Sequence, residues 1–274
     1  MELGEVLADL NAESADLDRL VANLPAEQWA TATPAAGWTI AHQIAHLAWT
    51  DQASTLAIRD PSEFSSQMLA ALAEPGTYVD RGAEEFLDEP SKLIARWRTG
   101  RTELAEALTS VPTGDRIPWY GTAMSPVSMA TARIMETWAH GLDVADALGV
   151  LRKPTERLRH IAHLGHRTMG FAFMAHDRPA PQGPVHLALT GPDGSQWTFG
   201  SPDAVDRVDG PALDFCLLIT QRRHRADLSL VATGPIADEW LDIAQAFAGP
   251  PGPGREPSRG PGRQPSREPI GGGG

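Results

Sequence analysis

Between Leu3 and Leu24 the apolar residues Leu3, Val6, Leu7, Leu10, Leu17, Leu20, Val21 and Leu24 recur at three- and four-residue spacing with acidic residues between them. This is the pattern of one amphipathic helix, and Pro25 stops it. A second helix is expected after Gly37, with Thr39 as N-cap and Ile40, Ile44, Leu47 and Leu56 on its apolar face, running until Pro61. A third spans 90–110, opening on Pro90-Ser91 and carrying Leu93, Ile94, Trp97, Leu104 and Leu108 on one stripe, although Gly100 weakens it. The fourth, Ser125 to Leu148, starts with a serine cap and a proline at the first helical position and ends at Gly149. Four such helices joined by loops predict an up-and-down bundle over residues 1–152.

After Pro154 a further helix carries His160, His163 and His166, and beyond Pro184 the pattern changes to short alternating runs. Val185–Thr190 and Gln196–Phe199, separated by Gly191-Pro192-Asp193-Gly194, predict a β-hairpin. A helix over Pro211–Arg222, a strand over Leu228–Thr233 and a last helix over Ile236–Phe247 complete a small α/β unit over 153–248. Residues 249–274 are rich in Pro, Gly and Arg with almost nothing apolar to bury, so this tail is expected to be disordered. The fold class is thus mainly α: a four-helix bundle, a small C-terminal α/β domain and a tail.

The chain of 274 residues can bury a sizeable core, and its formal net charge is −12, with four Arg against two Glu in the tail making the rest more acidic still. Such a surface is a poor partner for nucleic acid or anionic lipid. No apolar run approaches the roughly 20 residues needed to span a bilayer, and the N-terminus MELGEVLADLNAES is acidic where a signal peptide is basic. The expected location is the cytoplasm. Cys216 is the only cysteine, in the apolar run Leu213–Ile219, which rules out an intramolecular disulfide and a cysteine zinc cluster and suits a small core residue.

Candidate chemistry lies on the second and fourth helices. His42 and His46 are four residues apart, as are Glu136 and His140, and Asp143 stands one further turn along. Imidazole and carboxylate are ligands for zinc and other divalent transition metals, and ligands one turn apart on facing helices can converge on one ion. The segments Gly37-Trp38-Thr39 with His46-Leu47, and METWAHGLDVADALG at 135–149, carry a resemblance. They are similar to the Trp-Ser/Thr, His-Leu and Glu-x-x-x-His signatures of the DinB-like four-helix metal enzymes, in particular the actinobacterial mycothiol-dependent maleylpyruvate isomerase group. The likeness covers residues 1–150 by motif and the remainder by layout.

By this resemblance His46, Glu136 and His140 are the metal ligands, with Zn the first choice and Fe, Ni or Co as alternatives. His42 then has no matching role; it could be a further ligand, a group at the mouth or, the reading favoured here, a hydrogen-bond partner of a ligand. Asp143 could orient His140 through its free ring nitrogen, or be a solvated helix carboxylate. Three protein ligands leave a coordination position for substrate. Trp119 and Tyr120, just before the metal helix, could wall that position or simply pack on the bundle end. Arg223, in Gln221-Arg222-Arg223-His224-Arg225, could bind an anionic ligand or cap a helix end. His160, His163 and His166 lack a carboxylate in register, so no second metal site is expected there.

No phosphate loop, Ser-x-x-Lys or nucleophile elbow occurs, which excludes kinase, Rossmann dehydrogenase and serine hydrolase readings. The expected function is a divalent-metal-dependent enzyme acting on a small molecule, with mycothiol the thiol cofactor implied by the resemblance and isomerisation or thiol transfer the reaction. Alternatives are a thiol-independent hydrolase, lyase or cyclase of secondary metabolism, a non-haem iron oxygenase, and a non-catalytic metal-stabilised binding protein. A monomer or homodimer is expected.

Overall fold

The computed structural model describes residues 2–73 and 76–258. Helices α1 (Leu3–Val21), α2 (Ile40–Arg59), α5 (Pro90–Ser110) and α6 (Pro126–Leu148) form the bundle. Between α2 and α5 lie α3 (Pro61–Ala73) and α4 (Tyr78–Glu85), and both pack on α2. The sequence pattern had assigned no element there. Pro61 does end α2, but it also supplies the first residue of α3, where a missing N–H costs nothing. Gly82 lets α4 press on α2, because a Cβ there would run into the Trp49 ring.

Sequence caps fix the two helices that carry the candidate chemistry. In α2 the Thr39 side chain accepts from a first-turn amide while the His42 ring accepts from the Thr39 amide, a reciprocal capping box. In α6 the Ser125 hydroxyl accepts from the Ser128 amide, and Gly149 closes the other end in the left-handed region at φ 66°. The core between α1, α2, α5 and α6 holds Leu17, Ile40, Ile44, Leu47, Leu93, Trp97 and Val144, all fully buried.

The second half contains α7 (Leu158–Arg167), α8 (Met169–Ala175), α9 (Ala212–Ile219), α10 (Pro235–Ile243) and a four-stranded sheet. Its strands β1 (Val185–Thr190), β2 (Gln196–Phe199), β3 (Asp206–Pro211) and β4 (Val231–Thr233) are ordered β2-β1-β3-β4, with β1 and β3 parallel and the outer pairs antiparallel. The hairpin stands as expected, whereas β3 went unassigned because DRVDGP has only one apolar side chain facing the core, Val208. The expected helix after Pro154 breaks at Thr168 into α7 and α8, and β4 and α10 are shorter than the runs that predicted them. Asp206 caps α10, accepting from the Ile236 and Ala237 amides at 2.7 and 2.9 Å.

The tail differs from expectation. Residues 249–258 have no regular secondary structure, yet Arg255 pairs with Asp143 at 2.6 Å and with the Pro34 carbonyl, and the Ser258 amide donates to Asp227 at 2.8 Å. The acidic body offers carboxylates to Arg255 and to a backbone amide of a segment that has no core of its own. The rest of the expected disordered tail, 259–274, lies outside the described residues.

Glu13, 1% exposed, ties α1 to the connection after α6, pairing with Arg152 and, at 2.7 Å, with Arg157. Glu13→Gln leaves the largely buried Arg152 without a carboxylate and Arg157 with Asp16 alone; urea unfolding should show a loss of about 2 to 3 kcal/mol, and a loss below about 0.5 kcal/mol would contradict this role.

Candidate metal centre

His46 faces inward two turns into α2, and Glu136 and His140 face it from α6. Glu136 Oε2 lies 3.2 Å from His140 Nε2 and 3.7 Å from His46 Nε2, and the two imidazole centroids are 4.4 Å apart. One ligand atom from each of the three lies within 4.8 Å of the others, the one such cluster of three among the described residues. Donors at 2.0–2.1 Å around a tetrahedral ion are separated by about 3.3 Å, so the trio has the size of a coordination sphere.

The polarity of the surrounding hydrogen bonds strengthens the fit. The Thr33 hydroxyl donates to the Trp38 carbonyl at 3.0 Å, so it accepts from Gln43 Nε2 at 2.9 Å. That turns Gln43 Oε1 to His140 Nδ1, at 2.5 Å, and makes Nδ1 the protonated ring nitrogen. His140 Nε2 is then a lone pair aimed at a carboxylate oxygen. Burial, then the nearby His46 imidazole, push the His140 pKa down to about 3, so no second proton fills the gap at neutral pH. Although burial opposes ionisation, the Glu136 carboxyl lies well below its usual range, so it faces the His140 lone pair as a carboxylate. Two facing acceptors are the arrangement a cation satisfies.

His46 Nδ1 is buried and has no hydrogen-bond partner among the described residues, so ring contacts hold the imidazole, Trp38 at 5.3 Å and Trp49 at 5.7 Å. Trp38 also stacks on His140 at 5.9 Å and 22°, and its indole N–H donates to Asp80 of α4 at 2.8 Å. Glu136, at 22% side-chain exposure against 8% for His46 and 12% for His140, is the most accessible of the three.

The other sequence candidates go elsewhere. His42 does not join the trio or touch a member of it through a hydrogen bond; its Nδ1 is used in the α2 cap, at 2.8 Å from the Thr39 hydroxyl. Gln43, one residue on and one turn before His46, takes the orienting role expected of His42. Asp143 does not orient His140 either, because it is 1% exposed and held between Arg222 at 3.1 Å and Arg255 at 2.6 Å. Trp119 and Tyr120 pack on Phe64, and the Tyr120 hydroxyl meets that of Tyr78 at 3.1 Å. Tyr78 in turn packs edge-on to Trp49, so Tyr120 reaches the His46 wall only through two intervening rings. Arg223 is bound bidentately by Asp146, at 2.8 and 2.9 Å, and lines a separate cleft of about 530 Å³.

Sequence reasoning missed Gln43 and Arg222. Gln43 had a signal, its one-turn spacing from His46. Arg222 stood only as one of three arginines at a helix end that could bind an anion, with nothing to link it to α6: it comes from the far half of the chain to donate to the Ala139 carbonyl at 3.2 Å, where its charge acts on both His140 and Glu136. Cys216 is fully buried and its thiol is pushed up by burial, as a core residue should be.

Residues 10–145 match the model of the mycothiol maleylpyruvate isomerase N-terminal domain. Two Mycobacterium tuberculosis proteins, Rv0036c and MT0041, both described as uncharacterized, are 54% identical to this chain over 253 residues, covering 92% of it and 98% of each relative. The chain belongs to the mycothiol maleylpyruvate isomerase family. The crystal structure of the mycothiol-dependent maleylpyruvate isomerase shares the fold, with a TM-score of 0.57 at 16% identity over 85% of this chain and 93% of that one. A histidine-to-alanine variant of that enzyme superposes equally well, at TM-score 0.57 and 15% identity. The family's bundle therefore contains both helices of the trio, and the fold likeness extends into the sheet-bearing half. Among the described residues no helix is long and apolar enough to cross a membrane.

Two measurements test the geometry. Gln43→Leu keeps the volume but removes the acceptor for His140 Nδ1, and should weaken zinc binding about 10- to 100-fold in a competition titration while leaving the fold intact; unchanged affinity would deny the orienting role. In metal-free protein His140 binds fewer protons folded than unfolded between its unfolded value of about 6.5 and its folded value of about 3. Stability should therefore fall as pH is lowered through that window, by up to about 1.4 kcal/mol per pH unit. His140→Asn should flatten the slope in a melting series.

Proposed function

We propose that this family member is a metal-dependent isomerase acting on a small molecule with mycothiol, and that His46 Nε2, a Glu136 carboxylate oxygen and His140 Nε2 hold its divalent ion, with zinc the first choice. The observation that carries this reading is the His140 lone pair directed at the Glu136 carboxylate 3.2 Å away, a pairing that Thr33 and Gln43 impose. When bound, the ion supplies Lewis acidity, which lowers the pKa of a thiol at neutral pH. The chain's own residues supply the setting. Gln43 holds His140 in the ligating tautomer, Trp38 and Trp49 keep water from two sides of His46, and the buried Arg222 places a positive charge beside Glu136.

Three protein donors leave room for one exogenous ligand, which favours a catalytic over a closed structural ion. Cys216, inaccessible in the core, does not supply the nucleophile, so a thiol comes from solution, consistent with the relatives named as mycothiol-dependent.

Elemental analysis should find about one divalent ion per chain, lost in His46→Ala and His140→Ala but retained in His42→Ala, since the latter ring serves the α2 cap. Titrating cobalt-substituted protein with mycothiol should produce thiolate-to-cobalt absorption. Absence of a stoichiometric ion overturns the metal centre. A bound ion that ignores thiols supports instead a thiol-independent hydrolase, lyase or cyclase.

A further inference from the structure

Asp143 stands one turn beyond His140 on α6 and, at 1% exposure, faces two guanidiniums, Arg222 at 3.1 Å and Arg255 at 2.6 Å. One carboxylate offsets one cation. With Arg255 docked, the group Arg222, Asp143 and Arg255 carries a net positive charge next to the trio; without it, Arg222 and Asp143 form a neutral pair. The neighbouring Asp146 does not alter the balance, because it is bound bidentately by Arg223. Arg255 also donates to the Pro34 carbonyl, in the loop that ends in Trp38, the indole stacked on His140. A residue of the C-terminal segment, 112 positions from Asp143, thus touches both the helix that carries Glu136 and His140 and the loop that carries Trp38.

We infer that Arg255 is a positioning residue of the candidate centre: by engaging Asp143 it leaves the charge of Arg222 uncompensated beside Glu136 and His140, and gives the centre a preference for ligands that carry a negative charge. This rests on the reading of the trio as a metal centre. The tail segment is then part of the functional unit, and its acidic body positions a cation where an incoming anion needs one.

The test compares wild type, Arg255→Ala, Arg255→Lys and a chain ending at residue 248, all loaded with cobalt. Each is titrated with N-acetylcysteine, which binds as a thiolate with a second charge on its carboxylate, and with 2-mercaptoethanol, whose thiolate carries one charge, while the cobalt absorption is followed. Arg255→Ala and the shortened chain should bind N-acetylcysteine about three- to tenfold more weakly, a loss that shrinks with added salt, while 2-mercaptoethanol binding weakens clearly less, by about the square root of that factor. Arg255→Lys should recover most of the loss, and cobalt affinity should stay level or rise, since a positive charge has been removed. Equal effects on both thiols, or none on either, overturn the inference. Hydrogen exchange of the 249–258 amides in metal-free protein separates this from failure of the metal reading. Protection present in wild type and lost in both Arg255→Ala and Asp143→Asn supports the docked arginine, whereas an unprotected wild-type segment overturns it whether or not cobalt binds.

Discussion

The organisation of this protein depends on the closeness of two acceptors, the Glu136 carboxylate and the deprotonated nitrogen of His140, 3.2 Å apart on one face of α6. Left alone, such a pair repels, and the helix could relieve it by rotating a side chain. It cannot here, because the relay from Thr33 through Gln43 fixes the imidazole and packing fixes the helix against α2. Under the proposed function, a cation between the acceptors would turn the repulsion into attraction, with His46 from α2 as its third ligand.

The two helices are held in this relation by a second buried interaction. Arg133, one turn before Glu136 on α6, donates to Asp51 of α2 at 2.9 Å, and both side chains are nearly inaccessible. Burial raises the Asp51 pKa while Arg133 opposes that, the mark of an ion pair whose desolvation cost is large. Its value lies in register, since a slip of either helix would separate the charges inside the bundle and leave each without its partner. Around this frame the remaining elements act as walls. The α1–α2 loop contributes Trp38, α4 anchors that indole through Asp80, and the residues after α9 contribute Arg222. Family membership and fold likeness agree with this division, since the matched N-terminal domain contains the trio and the walls come partly from outside it.

Much of this was legible in the sequence where the signal is periodic and local. The bundle helices announced themselves by apolar stripes and by the caps Thr39, Ser125 and Gly149, and the hairpin by its Gly-Pro-Asp-Gly turn. His46, Glu136 and His140 could be nominated because helical spacing and a family resemblance pointed the same way. The elements that escaped had weak local signals: α4 is short, α3 begins at the proline that ends its predecessor, and β3 buries little apolar surface.

The sequence by itself determined which helices form and which of their faces are apolar, because those properties depend on neighbours within a turn or two. Only the tertiary structure decided which polar groups meet. It assigned His42 to a cap and Gln43 to His140, gave Asp143 to two arginines instead of an imidazole, and brought Arg222 and Arg255 from the second half of the chain onto α6. Hydrogen bonds and charges act over a few ångströms in space and carry no trace in spacing along the chain, so pairing between distant segments becomes visible only once the core has folded.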